Sequence, residues 1–143
     1  MTTPSVRGER RTVRAIYKWL VWILLVAIVA QVYLAGYGIF GGGFGAHIGL
    51  GWPLAHMIVP IVAILGFFCR LGRNLVLTNV ALLVLAAALP ILPGAGSSYV
   101  AALHPLLAVF VFGITLYLAY RTRTFAFRPK AVAAQPATAR SPA

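Results

Sequence analysis

Apolar residues run through this chain in long unbroken stretches and do not alternate with polar ones. Residues 19–69 and 74–120 contain no Lys, Arg, Asp or Glu. Each stretch is long enough for two membrane helices of about 20 residues. Each is also interrupted near its middle by turn-forming residues, Gly41-Gly42-Gly43-Phe44-Gly45 in the first and Pro90 to Ser98 in the second. A chain in hydrocarbon must satisfy its own backbone polar groups, so such stretches are expected to be helical. The pattern predicts an all-α, integral membrane four-helix bundle of up-down-up-down topology. The spans fall at about residues 17–40, 47–69, 74–92 and 101–120. Pro60, in the middle of the second span, removes a backbone donor and predicts a kink. Pro105 falls in the first turn of the fourth span, where its missing N–H costs little.

Charge supplies the topology. All twelve Lys and Arg residues flank the apolar stretches in three groups. These are Arg7, Arg10, Arg11, Arg14 and Lys18; then Arg70 and Arg73; then Arg121, Arg123, Arg128, Lys130 and Arg140. The positive-inside rule places all three groups in the cytoplasm, so the orientation expected is N-in/C-in. Residues 1–16 then form a basic cytoplasmic tail, disordered or lying on the membrane surface. Residues 121–143, basic and then rich in Ala and Pro, form a second cytoplasmic tail expected to be disordered. Tyr17, Trp19 and Trp22 mark the interface at the start of the first span. That span is too long for the apolar core of a signal peptide and is read as a retained helix.

Composition narrows the functions. The chain is 62% hydrophobic and 9% charged over 143 residues, with a net charge of +11. The basic residues only border spans, so the charge points to anionic headgroups of the lipid bilayer and not to nucleic acid. The one acidic residue, Glu9, excludes paired-carboxylate catalysis and carboxylate metal sites. The one cysteine, Cys69, excludes an internal disulfide and multi-cysteine metal sites. No catalytic constellation stands out, and the chain reads more as a binding protein than as an enzyme. The two halves share a plan: an outbound helix, an uncharged Gly-rich loop, and an inbound helix with a histidine near its outer end. That is a weak suggestion of a two-plus-two repeat.

The polar groups within spans are Gln31, His47, His56, Thr78, Asn79, His104 and Thr115. Interhelical hydrogen bonding is the expected role of Gln31, Thr78, Asn79 and Thr115. The histidines are better candidates for chemistry, because neutral imidazole binds iron, copper or zinc. Two of them on facing helices could clamp a haem. Counting about 1.5 Å per residue, His104 lies about 25 Å from Arg121, His56 about 21 Å from Arg70 and His47 about 34 Å from Arg70. Depth therefore pairs His56 with His104. His47 and His56, nine residues apart, point about 180° away from each other on an ideal helix. Ala108 lies one turn beyond His104 and Gly51 one turn beyond His47, and both would leave room for a flat macrocycle.

Three short segments carry a resemblance: Gln31-Val-Tyr-Leu34-Ala-Gly36, His47-Ile-Gly-Leu-Gly51 and Leu103-His104-Pro105-Leu106. On these, the chain resembles a family of small actinobacterial four-helix membrane proteins. More distantly it is similar to one four-helix half of haem A synthase, over roughly residues 17–123. The resemblance implies a bacterial plasma-membrane protein holding haem b, with His47 and His104, not His56, as ligands; the depth count keeps His56 as the alternate partner of His104. It departs from the synthase in having no acidic residue or cysteine pair in the first outer loop, no counterpart of Gln31 in helix three, and a single half. What it implies is a haem-binding bundle for electron transfer or haem handling, without the synthase's oxidation chemistry. The alternative is a cofactor-free accessory or assembly protein whose spans pack against a membrane protein partner or a second copy. In that reading the histidines are interface or packing residues.

Overall fold

A computed structural model describes the backbone of residues 4–125 and the side chains of residues 11–125. Among them the chain is helical throughout, with no strand. Helix α1 covers Pro4–Tyr37 and ends in a π turn, Gly38–Gly42. The second span is built from α2 (Gly45–Pro53), a π turn (Leu54–Ile58) and α3 (Val59–Phe68). Helix α4 covers Arg73–Ala88 and runs through a turn into a short 3₁₀ segment, Leu92–Gly94. The fourth span joins α5 (Ser98–Ala101) to α6 (Leu103–Thr122). Four stretches are long and apolar enough to cross a bilayer: Arg11–Gly42, Gly45–Phe68, Arg73–Gly94 and Ser98–Thr122. They close into a ring in which α1 packs on α3, α3 on α4, α4 on α6, and α6 back on α1.

The breaks follow from the breakers. Pro60 has no N–H for the His56 carbonyl, and its ring crowds that carbonyl. The ladder answers by widening, and Val59 N–H bonds Leu54 O, five residues back. The distortion predicted at Pro60 is thus a π turn one helical turn earlier. At the end of α1, Gly41 (φ +101°) and Gly43 (φ +74°) take up left-handed conformations open to glycine. The Gly42 position is also occupied by its neighbour: a Cβ there would collide with the Tyr37 ring.

The first tail differs from expectation. Residues 4–16 are helical and continuous with α1, not unstructured. The physical reason is a second layer of contacts at the basic end. Val13 packs on the core, Arg14 Nε donates to the Cys69 carbonyl at 3.2 Å, and the Arg14 guanidinium lies 5.6 Å from the centre of the Phe125 ring. These contacts also put the start of the first span and the end of the fourth at one end of the bundle. Of the second tail, residues 126–143 lie outside the described residues.

The core is assembled at regular helical spacing. Helix α4 buries Leu75, Asn79, Leu82 and Ala86, and α6 buries Val111, Thr115, Leu118 and Thr122. Both series step by four, three and four residues, the heptad spacing that keeps one seam facing its partners. Helix α1 contributes Tyr17, Val21, Leu24, Leu25 and Ile28, and α3 contributes Val59, Val62 and Gly66. Apart from Ala86, near the far end of α4, these lie toward the basic residues. No residue in 29–58 or 87–110 is fully buried. The bundle is tightly packed at the basic end and loosely packed at the histidine end.

Candidate functional site

The loosely packed end is where α2 and α6 begin, and each begins with a histidine. His47 lies in the first turn of α2 and His104 is the second residue of α6. Both are half-buried, and their ring centres are 6.0 Å apart, set edge to face at 69°. Phe44 adds a second edge contact to His47, at 6.3 Å.

Each ring is held by a backbone carbonyl of the preceding span. His47 Nδ1 lies 3.1 Å from Gln31 O, and His104 Nδ1 lies 2.8 Å from Leu89 O. A carbonyl only accepts, so Nδ1 carries a proton in both rings, and Nε2 is the nitrogen turned away from the anchor. That is the arrangement in which a second partner fixes a metal-binding histidine's tautomer and orientation. The two anchors are equivalent in plan: a histidine opening the inbound helix bonds a carbonyl near the end of the outbound one. This is the feature in which the two halves of the chain are most alike.

The first anchor is reciprocal. Gln31 Nε2 donates to the His47 carbonyl at 3.0 Å, so two hydrogen bonds join α1 to α2. Gly51 permits this approach, because a Cβ there would lie 3.0 Å from Gln31 Nε2. The room beside Gly51, expected to suit a macrocycle, is occupied by the Gln31 side chain. Gln31 Oε1 is buried without a hydrogen-bond partner. The second anchor has a cause in the sequence. The Leu89 carbonyl would bond the N–H of residue 93 in a continuing helix, but residue 93 is proline. His104 fills that role. Leu89 was not singled out by sequence reasoning, and the signal that could have found it is Pro93 four residues on.

His56 goes elsewhere. It is exposed, its ring stacks on Trp52 at 3.9 Å, and its Nδ1 bonds the Trp52 carbonyl at 3.0 Å. His56 does not join His47 and His104, and the π turn that contains it does not bring it inward. Ala108 is half-buried one turn below His104. Among the described residues no three His, Cys, Asp or Glu side chains gather as a metal-binding group.

The other polar residues divide into two kinds. Asn79 is buried in the packed half and accepts a hydrogen bond from Tyr17 O–H at 3.0 Å, an interhelical bond as expected. Thr78 and Thr115 instead donate to carbonyls four residues back in their own helices, Asn74 and Val111. A threonine hydroxyl is short and finds its own helix's carbonyl before it reaches a neighbour.

No family model, curated protein or solved structure matches this chain.

Proposed function

We propose that this is a small multi-pass membrane protein that holds haem b at the histidine end, between the second and fourth spans, where His47 and His104 would be its ligands. The observation that carries this reading is the pair of imidazoles at 6.0 Å, each anchored through Nδ1. A metal bonded at about 2 Å to each of two opposed ring nitrogens separates the ring centres by about 6 Å. Two protein ligands are too few for a structural zinc site. They are enough for haem, whose macrocycle supplies the remaining nitrogens.

The donor set fits the group. Both ligands are imidazoles anchored through Nδ1, no side chain in residues 29–58 or 87–110 is fully buried, and a macrocycle would have to displace the Gln31 side chain from beside Gly51. The bound haem would supply one-electron chemistry. The chain's part is to orient the two rings, to keep a proton on each Nδ1, and to surround the group with apolar side chains. N-in/C-in insertion in a bacterial plasma membrane, as the basic residues suggest, would set this site near the outer surface.

A second reading is a cofactor-free accessory or assembly protein. It is favoured by the same anchors, since each histidine already ties one span to the next. Absorption spectra separate the two. Protein expressed with haem supply and purified in detergent should show sharp dithionite-reduced bands of a six-coordinate b-type haem. His104→Ala and His47→Ala should lose them, and His56→Ala should keep them. Colour that survives loss of both His47 and His104 would overturn the ligand assignment. A parent protein that stays colourless after haem reconstitution would leave the accessory reading.

A further inference from the structure

The basic end carries a second set of features that the haem reading does not use. Between the second and third spans an open cleft of about 540 Å³ is lined by Phe67, Phe68, Arg70, Leu71 and Val76. A second cleft, of about 280 Å³, is lined by residues 72–75 and by Arg121 of α6. Three arginines from three elements thus border two adjoining depressions where the spans leave the apolar region. The walls are mixed in character: Phe67 and Phe68 are two-thirds exposed at the end of α3, while Arg70 and Arg73 stand at the turn and Arg121 near the end of α6.

The backbone of Arg70 and the side chain of Arg121 are held in place. Arg70 has a left-handed backbone (φ +49°), unusual for a residue with a side chain, and its N–H closes a turn on the Phe67 carbonyl at 3.1 Å. The Arg121 guanidinium donates to the Tyr117 hydroxyl at 3.2 Å and lies over the Tyr117 ring. The chain offers little to neutralise them, with one carboxylate side chain against twelve Lys and Arg. Counter-charge for this face must come from outside the chain.

We propose that these clefts form a binding site for an anionic phospholipid. Its phosphate is held by Arg70 together with Arg73 and Arg121, and an acyl chain lies along Phe67 and Phe68. Guanidinium pairs with phosphate through two parallel hydrogen bonds, and a basic pocket between spans at the headgroup level is where such a lipid is reached. The exposed phenylalanines distinguish the site from one for a free anion, which has no use for an apolar wall at its edge. The site requires only that the spans lie in a bilayer and is independent of haem.

The test uses the full chain in detergent, with thermal unfolding followed by tryptophan fluorescence. Short-chain phosphatidylglycerol should raise the unfolding midpoint by a few degrees, because it binds the folded state alone. Phosphatidylcholine, and inorganic phosphate at equal concentration, should not. Replacing Arg70, Arg73 and Arg121 together by Gln should abolish the shift. Arg11→Gln with Arg123→Gln, which removes two basic-end charges outside the clefts, should retain it. Equal loss in both variants would reduce the effect to general charge and overturn the site. So would no shift in the parent, or a shift with inorganic phosphate alone. Should the triple variant not fold, native mass spectrometry of Arg70→Gln decides: loss of the retained phosphatidylglycerol adduct supports the site, and an unchanged adduct overturns it.

Discussion

At the scale of single residues, glycine makes room for amides. Gly66 and Gly51 each lie where a Cβ would come within about 3.0 Å of an amide on another span, Asn79 in one case and Gln31 in the other. In the first case the amide completes a buried node. Asn79 Nδ2 donates to the Leu75 carbonyl at 2.7 Å while Oδ1 accepts from Tyr17. Asn79→Ala leaves the Tyr17 hydroxyl without its partner among apolar neighbours, a loss of about 1–2 kcal/mol. Gly66→Val pushes Asn79 aside and should cost about 1–3 kcal/mol by overpacking. The two effects should not add, because both act on one hydrogen bond. Unfolding midpoints of the two single variants and the double variant measure this, and strict additivity would show that Gly66 does not act through Asn79. Neither substitution should change the absorption spectrum of haem-loaded protein, since the node lies in the packed half.

At the scale of elements, the number and order of the spans were legible and their rotation was not. Charge is excluded from hydrocarbon, so charge-free stretches such as 19–69 mark spans directly. Which face of a span turns inward leaves no such mark, because lipid is as apolar as a protein core. In α4 the inward seam is distinguished by Asn79 and Ala86, and in α6 by Thr115, Ala119 and Thr122, while large apolar residues such as Val84, Val109 and Phe110 face outward. The histidines show the same limit. Their spacing placed His47 and His56 on opposite sides, but a depth count along straight, equally tilted spans paired His104 with His56. The second span is interrupted at Leu54–Ile58, and the ring that meets His104 is that of His47. This makes Pro60 a determinant of the site at a distance. Pro60→Ala supplies an N–H for the His56 carbonyl and lets the π turn relax to an α turn. Loss of that extra residue rotates α2 by about 100° relative to α3. The expected result is loss of the nuclear Overhauser contact between the His47 and His104 rings, with helix content by circular dichroism unchanged. A contact that persists would mean that the loops, and not the π turn, set the rotation of α2.

At the scale of the whole molecule, the bundle is divided along its axis. Among the described residues the buried side chains gather toward the basic end, with Ala86 the furthest from it, and the histidine end is held by the two carbonyl anchors and by partly buried contacts. Truncation should therefore be costly at one end and mild at the other. Leu82→Ala, at a fully buried heptad position, should lose about 2–5 kcal/mol. Leu103→Ala, beside His104 but exposed, should lose under about 0.5 kcal/mol. Local opening follows the same division, because weakly packed segments open without unfolding the rest. Amide exchange in detergent should be fast through α2 and the first turns of α6, and slow around Leu82 and Leu118. Ligand binding then has a direction along the molecule. On the proposed reading, a haem held by His47 and His104 would join α2 to α6 across the loosely packed end, and a ligand at about 100 times its Kd stabilises the state that binds it by about 2.7 kcal/mol. Protection should rise in α2 and early α6 on haem loading and change little at Leu82, which already exchanges only through global opening. Haem that binds but leaves those segments unprotected would be held elsewhere, on the lipid-facing surface or in the detergent. The loose end would then be a surface for a partner, and not a site completed by a cofactor.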